Sequence, residues 1–465
     1  MHNINRRQFV KTSAGAAVAA STLWGTKQTW AGANDRVRIA VVGIRGMGFA
    51  HIRNYANLKN VEVAALVDVD QNLYPERLKW LLENGKPEPD TYVDIRKMLE
   101  DDNIDAISVA TQNHWHALAG YWAVQAGKHA TLEKPGTHNV FEGRQLIKAS
   151  RKYRRMIQHH AERRTFYGMQ SAVDFLRSGG LGQVYLAKGI CYKWRDSIGM
   201  YPDGFMAGDA GWRSTVSGDP GPIFSKEYMS KVDYDLWLGP APRRPFNPNR
   251  FHYNWHWNWD YGNGDLGNQG AHQMDIARWG LGVKHPTRIS SMGGHFMFDD
   301  DQETPNAQMA LFEFPSPEGR GDKKKMLQFE VRHWISNHEA GLGEGPGNAI
   351  GNLFFGSRGY MAVDLGGNWK TFMGKNREPG PYGGGRGDMF ANFVEAIRAD
   401  DRLLLKGDIE EGHYSCSLIH LANISYRLGR SLNFDPEEEK FIGDEEADKM
   451  LTRDYREPFA IPERV

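Results

Sequence analysis

A glycine-rich turn near the start of the chain carries residue types that can hold a dinucleotide. The turn follows the apolar run Val37–Val42 and consists of Gly43, Ile44, Arg45, Gly46, Met47 and Gly48. Glycines let the backbone approach a pyrophosphate at a helix N-terminus, where free N–H groups and the helix dipole favour anions. Because Arg45 replaces the middle glycine of the usual G-x-G-x-x-G pattern, the same residues can also form a purely structural turn.

An acidic residue after the next apolar run supports the dinucleotide interpretation. Asp68 stands 25 residues after Gly43 and directly follows the run Val61–Val67. A carboxylate in this position can accept a hydrogen bond from an adenosine ribose hydroxyl. The same carboxylate repels a 2′-phosphate, so the sequence predicts NAD as the cofactor and makes NADP less favoured.

Two polar stretches that follow later apolar runs offer acid–base chemistry. They are Thr111–His116 (TQNHWH) and Thr131–Gly136 (TLEKPG). Open α/β sheets bind ligands at the carboxyl ends of their strands, where both stretches are predicted to lie. A partly desolvated lysine has a lowered pKa and can take the proton of an alcohol under oxidation. The residues of these stretches predicted to contact the cofactor are Thr111, Asn113, His116, Glu133 and Lys134.

A further cluster of polar residues has helical spacing. If a helix begins near Asn268, then Asn268, His272 and Asp275 lie on one face, and the apolar residues between them lie on another. Taken alone, His272 is as consistent with a satisfied core histidine as with a functional group. Asp275 is a candidate partner of His272.

The stretch from 251 to 261 (FHYNWHWNWDY) alternates aromatic and polar residues. In an extended conformation the aromatics lie on one face and the hydrogen-bonding groups on the other. One interpretation is an amphipathic strand with an aromatic core side; the other is a pocket wall that binds a sugar. In the second interpretation the substrate-binding residues are His256, Trp257 and Tyr261. His252 and His256 lack an accompanying set of cysteine or acidic ligands, so no metal site is predicted.

The elements that position these residues fall into two groups. Val37–Val42, Val61–Val67, Ile104–Ala110 and His129–Glu133 are strand-like and alternate with helical stretches, which predicts an α/β fold with a doubly wound parallel sheet over 34–155. The region 156–465 is predicted to be an α+β domain with a large, mostly antiparallel open sheet, closed by helices and an acidic, exposed tail from about 385. Its strand-like runs are Val184–Trp194, Arg288–Phe298, Gln308–Phe314, Met326–Trp334, Asn352–Phe355 and Tyr360–Val363.

Charge and cysteine content exclude several classes of protein. The 57 basic and 57 acidic residues cancel, which argues against nucleic acid or an anionic membrane surface as a partner. The 2 cysteines, Cys191 and Cys416, cannot form a disulfide framework or a zinc cluster.

The glycine turn, the TQNHWH stretch and Glu133-Lys134-Pro135 resemble the Gfo/Idh/MocA oxidoreductase family, in particular its exported members related to glycoside hydrolase family 109. The resemblance covers essentially the whole chain after the N-terminal segment. It implies that Lys134 contacts both cofactor and substrate and that the bond into Pro135 is often cis. It also implies that the open face of the second sheet forms a homo-oligomer interface.

The resemblance also assigns roles in the helical cluster. The family pattern D-x-G-x-H-x-x-D aligns with Asn268, Gly270, His272 and Asp275. Its histidine acts as an acid or base, or positions the reacting hydroxyl. Since Asn268 replaces the family aspartate and an amide cannot take a proton, we assign the acid–base role to His272 and Lys134. Asn268 is predicted to orient a sugar hydroxyl, with Asp275 as a partner of His272.

The N-terminal segment has the order of features of an export signal. The stretch NRRQFVK, beginning at Asn5, resembles a twin-arginine motif, and an apolar run to about Leu23 and an Ala-Gly-Ala stretch before Asn34 follow it. We predict a signal peptide over 1–33, export to the periplasm by the twin-arginine route, and no membrane association after cleavage. Because that route carries folded proteins, a tightly held cofactor can travel with the chain.

Three functions are consistent with these residues. The first is oxidation of a sugar hydroxyl by NAD, after which the cofactor exchanges or is regenerated on the enzyme by a second sugar. The second is a redox-neutral glycosidase that oxidises a ring hydroxyl, eliminates the glycosidic bond, and returns water and hydride. The third is a sugar-binding or scaffold protein without catalysis, which a paired lysine and histidine disfavours.

Overall fold

The computed structural model describes residues 36–204, 212–216, 219–315, 324–333 and 348–465. The predicted signal peptide at 1–33 lies outside the described residues. Among the described residues, no helix combines the length and the apolar character needed to cross a membrane.

The first sheet has six parallel strands in the order β3-β2-β1-β4-β5-β6. The strands are β1 Val37–Val42, β2 Val61–Val67, β3 Asp90–Tyr92, β4 Ala106–Val109, β5 His129–Leu132 and β6 Ile157–His159. The helices between and after them are α1 Gly46–Asn57, α2 Tyr74–Glu83, α3 Ile95–Leu99, α4 Asn113–Gln125 and α5 Val140–Tyr153. Every residue of β4 is buried, as expected for a central strand covered by helices on both faces. The order changes direction between β1 and β4, and ligands bind at such a point.

The second sheet has ten strands in the order β16-β15-β14-β13-β7-β12-β11-β10-β17-β18. All neighbouring strands are antiparallel except β7 and β12, so the predicted fold class is confirmed for both sheets. Its strands are β7 Val184–Tyr192, β10 Arg288–Gly294, β11 Ala307–Pro315, β12 Lys324–Arg332, β13 Ala349–Gly356, β14 Gly359–Asp364, β15 Trp369–Met373, β16 Glu378–Gly383, β17 Leu432–Asp435 and β18 Lys440–Phe441. A separate hairpin pairs β8 Trp212–Val216 with β9 Asp219–Phe224.

Helices cover one face of the ten-stranded sheet and leave the other open. The helices after β6 are α6 Tyr167–Arg177, α7 Lys226–Met229, α8 Tyr234–Leu238, α9 Gly264–Asn268, α10 Gly270–Leu281, α11 Met389–Ala399, α12 Ile409–Leu428 and α13 Glu445–Lys449. Helices α6, α10 and α12 share one apolar core with the sheet. On β11 exposed and buried residues alternate, which leaves Met309 and Leu311 exposed on the outer face.

Several sequence predictions differ from the structure. The stretch at 251–261 is not extended: His252 has a φ of 60° and Asn254–Trp257 forms a 3-10 helix. The predicted two-faced alternation is therefore wrong, because both aromatic and polar residues of this stretch are buried among neighbouring segments. The acidic tail is not simply exposed either, since Phe459 and Ile461 pack into the core of the first sheet.

Candidate active site

The glycine turn packs so closely that two of its glycines cannot be replaced without strain. Gly43 has a φ of +81°, and a Cβ there would lie 2.8 Å from the backbone of Ala110. A Cβ on Gly48 would lie 1.6 Å from the Gly43 carbonyl oxygen. Gly46 is different, because no atom lies within 4 Å of its ideal Cβ position. The backbone therefore borders open space at Gly46, where α1 begins.

The start of α1 is suited to an anion. Arg45 is the N-cap residue and its side chain does not cap the helix, so the first N–H groups depend on another partner. Gly43, Arg45, Gly46 and Met47 line a cavity of about 360 Å³. The Ile44 side chain is fully buried, and its backbone N–H donates a hydrogen bond to the Asp68 carboxylate. An uncapped helix N-terminus at the edge of a cavity fits the pyrophosphate of a dinucleotide.

The cavity runs along the carboxyl edge of the parallel sheet. Its opposite wall is formed by the segment from Leu236 to His256 and by Asn268. The predicted cofactor residues in its lining are Gly43, Arg45, Gly46, Met47, Asp68, Thr111, Asn113, His116, Glu133 and Lys134. The structure thus gathers ten predicted residues from four separate places in the sequence.

Asp68 occupies the position expected for a ribose-binding carboxylate. Its Oδ2 accepts a hydrogen bond from the Ile44 N–H at 2.8 Å, and its Oδ1 accepts one from the Asp70 N–H at 2.9 Å. Burial raises the pKa of Asp68 to about 6, against the effect of these bonds. The carboxylate remains partly exposed to the cavity.

Asp70 anchors the opposite wall to the end of β2. Its Oδ2 lies 2.9 Å from the His252 Nε2 and accepts a hydrogen bond from the Tyr228 hydroxyl at 2.5 Å. Asp70 is 1% exposed. Burial acts to raise its pKa, but the bonds from His252 and Tyr228 hold it below its usual value. This contact was missed by the sequence analysis, and His252 serves as a bridge between the two halves of the fold.

Lys134 is held directly by Asn268. The Lys134 Nζ donates hydrogen bonds to the Asn268 carbonyl oxygen at 2.7 Å and to its Oδ1 at 3.3 Å. Burial lowers the pKa of Lys134, although the Glu133 carboxylate acts in the opposite direction. The peptide bond from Lys134 to Pro135 is cis. A partly desolvated amine on neutral acceptors is well suited to exchange a proton.

The carboxylate that supports Asn268 is Asp265, which the sequence analysis did not single out. Asp265 Oδ1 accepts from the Asn268 Nδ2 at 3.0 Å. Arg195 binds both Asp265 oxygens, at 3.0 and 3.1 Å, and His333 contacts Oδ2. Burial alone would raise the pKa of Asp265, but Arg195 and His333 hold it well below its usual value. Asp265 therefore stays ionised and fixes the amide that holds Lys134.

His272 lies on α10, is partly exposed, and is not among the residues that line the cavity. Burial lowers its pKa well below the usual value, and the charges of Arg163 and Lys134 lower it further. His272 is therefore neutral near pH 7 and can accept a proton or hydrogen-bond a hydroxyl.

Asp275 is engaged elsewhere. Its carboxylate accepts hydrogen bonds from the Arg164 Nε at 2.8 Å and from the Ser415 hydroxyl at 2.5 Å. It is 2% exposed; the ion pair with Arg164 joins α10 to the 3-10 helix Glu162–Thr165, and the hydrogen bond from Ser415 joins α10 to α12. The observed partners make Asp275 a structural residue, and its predicted pairing with His272 is not observed.

Of the three predicted residues in the aromatic stretch, the structure brings one to the cavity. His256 lines it, stacked on Trp255 with ring centroids 3.6 Å apart. Trp257 and Tyr261 are 2% and 0% exposed and pack behind the wall, so the structure does not support direct substrate contacts for them. Trp255 and Tyr253 line the cavity in their place.

The remaining predicted cofactor residues form the cavity floor. The His116 ring lies between two carbonyl oxygens: its Nδ1 is 2.7 Å from that of Pro135 and its Nε2 is 3.0 Å from that of Thr111. Among the described residues, the buried Asn113 Oδ1 has no hydrogen-bond partner. Glu133 Oε2 accepts from the Lys134 N–H at 3.0 Å. A hydrogen-bond donor of a bound cofactor can pair with this amide oxygen.

Metal-ligating atoms also come together in two places within the described residues, although the sequence analysis predicts no metal site. The two groups are His51, Glu133 and His160, and His285, His413 and Glu439. In the first group Glu133 Oε1 lies 3.2 Å from the His51 Nε2, and in the second Glu439 Oε1 lies 2.9 Å from the His413 Nε2. Hydrogen bonds to Glu439 account for both histidines of the second group. In the first group only His51 is bonded to Glu133, and the His160 Nε2 lies 4.0 Å from Glu133 Oε1.

Comparison with known protein families identifies the family of this chain. Residues 37–160 match a family (GFO_IDH_MocA) described as an oxidoreductase family with an NAD-binding Rossmann fold. Residues 209–311 and 385–461 match the C-terminal alpha/beta domain of that oxidoreductase family. The chain belongs to the Gfo/Idh/MocA oxidoreductase family. The family and NAD predictions are thereby confirmed, and the cavity described above is the cleft of a Gfo/Idh/MocA nucleotide-binding domain.

Relatives of this Gfo/Idh/MocA protein include a glycosyl hydrolase family 109 protein of Shewanella putrefaciens (strain CN-32 / ATCC BAA-453), 27% identical over 169 residues. That match covers 32% of this chain and 37% of the relative, so the chain aligns with little more than a third of the length of the curated relatives it matches.

Solved structures share the fold over most of the chain. One is the WlbA dehydrogenase from Bordetella pertussis in complex with NADH and UDP-GlcNAcA, with a TM-score of 0.58 and 17% identity over 86% of this chain and 99% of that one. Another is the aldose-aldose oxidoreductase from Caulobacter crescentus complexed with glycerol, with a TM-score of 0.58 and 18% identity over 86% of this chain and all of that one (100%).

Proposed function

We propose that this protein is an NAD-dependent oxidoreductase that acts on a hydroxyl of a sugar or glycoside by hydride transfer. The observation that carries the proposal is the Lys134 amine, held on Asn268 in the lining of the cavity that the glycine turn borders. The charge of Lys134 also helps to lower the pKa of His272, which is neutral near pH 7. NAD, when bound, supplies the hydride acceptor. Lys134 takes the hydroxyl proton, and His272 holds the same hydroxyl or passes the proton on.

The test uses the purified full chain as isolated. Addition of single sugars and glycosides should produce the absorbance band of bound NADH, and Lys134→Ala should remove that change while the protein stays folded. If the protein carries no NAD and binds none on addition, both the oxidoreductase and the glycosidase proposals fail. A protein that binds sugar and NAD without any hydride exchange would be a scaffold.

A second candidate is a redox-neutral glycosidase. The curated relatives named glycosyl hydrolase family 109 proteins support it, and so does the presence of two proton-accepting groups, Lys134 and His272. In this reaction, oxidation of a ring hydroxyl to a ketone acidifies the neighbouring C–H. Elimination then breaks the glycosidic bond and releases the leaving group. Water adds to the resulting double bond, and the hydride is returned to the ketone. Cleavage without added NAD, with solvent deuterium beside the oxidised carbon, would favour this candidate over simple oxidation.

We also propose that the cofactor is tightly held and travels with an exported, periplasmic protein. The cavity wall from Leu236 to His256 is bonded to Asp70 at the end of β2, which slows exchange of a bound dinucleotide. Cell fractionation and replacement of Arg6 and Arg7 by lysine test the export route. Loss of NAD on simple dialysis would contradict tight binding.

The outer face of the ten-stranded sheet supports the proposal of a homo-oligomer. Met292 and Met309 are register partners on β10 and β11, and they are 81% and 51% exposed. Leu311 and Met326 extend the same apolar surface. Light scattering should show an oligomer, and Met309→Lys should reduce its size if this face is the interface.

A further inference from the structure

A buried histidine joins the nucleotide-binding helix to the turn that carries Lys134. His51 lies in the second turn of α1, and its side chain is fully buried. Its Nε2 lies 3.2 Å from the Glu133 Oε1, and its Nδ1 lies 2.8 Å from the Ser108 Oγ on β4. The sequence analysis did not single out His51. The ring therefore connects α1, β4 and the end of β5 through one contact on each side.

The ionised state of Glu133 determines which nitrogen of the His51 ring carries a proton. Burial acts to raise the pKa of Glu133, but the hydrogen bond from His51 and the neighbouring basic groups hold it below its usual value. An ionised carboxylate only accepts hydrogen bonds, so the His51 Nε2 must donate. In the neutral ring, Nδ1 then accepts from the Ser108 hydroxyl. Ser108 is fully buried, so this hydroxyl holds the ring and is not exposed as a nucleophile.

Glu133 connects His51 to Lys134. The Glu133 Oε2 accepts a hydrogen bond from the Lys134 backbone N–H at 3.0 Å, while its Oε1 is the oxygen that faces His51. At its other end Lys134 is held by the Asn268 carbonyl oxygen, 2.7 Å from Nζ. A lysine side chain is a flexible four-carbon stem, so its amine keeps one position only when both ends are fixed. The backbone end is fixed through Glu133.

We propose that His51 is a positioning residue, which holds the Glu133 carboxylate and thereby keeps Lys134 in place for proton transfer. The inference rests on the proposed function, because that function gives Lys134 the proton of the substrate hydroxyl. It adds that the helix whose start borders the cavity at Gly46 also fixes the turn that carries the base. The effect should fall on the chemical step, since a misplacement of about 1 Å can slow a reaction about a hundredfold.

Two substitutions separate the two contacts of the His51 ring. An asparagine amide can replace Nδ1, and a glutamine amide can replace Nε2. His51→Asn therefore keeps the contact with Ser108 and loses that with Glu133, and it should lower kcat by roughly ten- to a hundredfold with a smaller change in KM. His51→Gln keeps the contact with Glu133 and should retain most of the wild-type kcat. Each variant loses one contact of the same buried ring, so a general loss of stability does not predict this difference.

The activity test uses the full-length protein with its bound NAD. Glucose, galactose and their methyl glycosides are the probes, and the rate of NADH formation at several sugar concentrations gives kcat and KM. NAD content and thermal unfolding are measured on every variant. Ser108→Ala leaves the contact with Glu133 in place but removes a support of the ring, and it should lower kcat by about two- to tenfold. This variant keeps the test informative if neither His51 variant folds.

His285 provides a matched control. Its Nε2 lies 3.0 Å from the Glu439 Oε1, so it is also a buried histidine bonded to a carboxylate, but neither residue lines the cavity. His285→Asn should leave kcat unchanged. Crystal structures of the two His51 variants give a measurement that needs no substrate. The Glu133 carboxylate and the Lys134 amine should be displaced in His51→Asn and unchanged in His51→Gln.

The outcomes separate this inference from the proposed function. Wild-type kcat in His51→Asn, or an equal loss in His51→Gln, overturns the inference and leaves the function intact. An equal loss in His285→Asn also overturns it, because the effect is then not specific to the turn. A wild-type protein that reduces NAD with none of the probes counts against the function alone. The crystal structures then decide the inference, and an unchanged Lys134 in His51→Asn overturns it.

Discussion

The Lys134 ammonium and the Asn268 residue are joined twice, through the backbone carbonyl oxygen at 2.7 Å and through the side-chain Oδ1 at 3.3 Å. Asn268 in turn rests on Asp265, whose charge is balanced by Arg195 and His333. The family pattern has an aspartate at position 268. This chain instead places its ionised carboxylate at Asp265, one step removed from the lysine, and keeps neutral oxygens in direct contact with Lys134.

Lys134→Ala should reduce kcat/KM by about 10²–10⁴-fold, the usual contribution of a positioned acid or base. Bound NAD should be retained, because the glycine turn and Asp68 are untouched. The measurement is the rate of NADH formation, with circular dichroism and cofactor content as controls. A variant with near-normal turnover would remove Lys134 from the chemistry.

Asn268→Asp should shift the pH–rate profile to higher pH. A carboxylate beside the ammonium favours its charged form and raises the pKa of Lys134, so a larger fraction of the lysine is protonated and inactive near pH 7. The pH dependence of kcat/KM checks this, with Asn268→Ala as the control that removes the side-chain contact at 3.3 Å and adds no charge, while the backbone contact remains. An unchanged profile would show that Lys134 is not the titrating base.

Affinity for NAD should fall as the pH drops through about 6. Burial raises the pKa of Asp68 to about 6, so the ionised carboxylate that accepts from a ribose hydroxyl is lost below that value. Calorimetric titration of the cofactor-free protein at several pH values measures the effect. Asp68→Asn should flatten the pH dependence and narrow the preference for NAD over NADP, because the charge that repels a 2′-phosphate is gone.

Asp275→Asn should destabilise the protein by up to about 3–5 kcal/mol, the cost of breaking a buried ion pair such as that of Arg164 with Asp275. Thermal or urea unfolding measures the loss. The folded fraction should keep its pH–rate profile, since Asp275 contacts Arg164 and Ser415. A changed profile with unchanged stability would restore the predicted pairing with His272. Glu411→Gln, which alters a more exposed partner of the same arginine, should have a smaller effect.

His252→Ala should speed the release of NAD. The His252 contact with Asp70 at 2.9 Å ties the cavity wall to the parallel sheet, and its loss frees the wall to move. Fluorescence of bound NADH during dilution measures the release rate. An unchanged release rate would show that the contact does not retain the cofactor. His256→Ala removes a neighbouring ring of the wall that does not contact Asp70, and it should change the rate less.

The parallel sheet could be predicted because the residues that determine it lie close together in the sequence. Val37–Val42, the glycine turn and Asp68 lie close together in the sequence, and each obeys a rule of strand or turn chemistry. The wall could not be predicted, since the conformation at 251–261 is set by distant partners such as Asp70. Alternation suggested a strand there, but buried polar bonds and a left-handed His252 determine the local path. Asp265 could not be predicted because the family pattern has its aspartate three residues later, at the position of Asn268.

Because His252 contacts Asp70, we expect tight binding of the coenzyme to require the second half of the chain as well as the nucleotide-binding half. A fragment ending near residue 160 would contain the six strands, the glycine turn and Asp68, yet it would lack the wall that covers them. Such a module could form its sheet and still hold the dinucleotide only loosely. A chimera of this nucleotide-binding half with the second half of another protein should therefore differ in how tightly it holds the cofactor as well as in the substrate that it accepts.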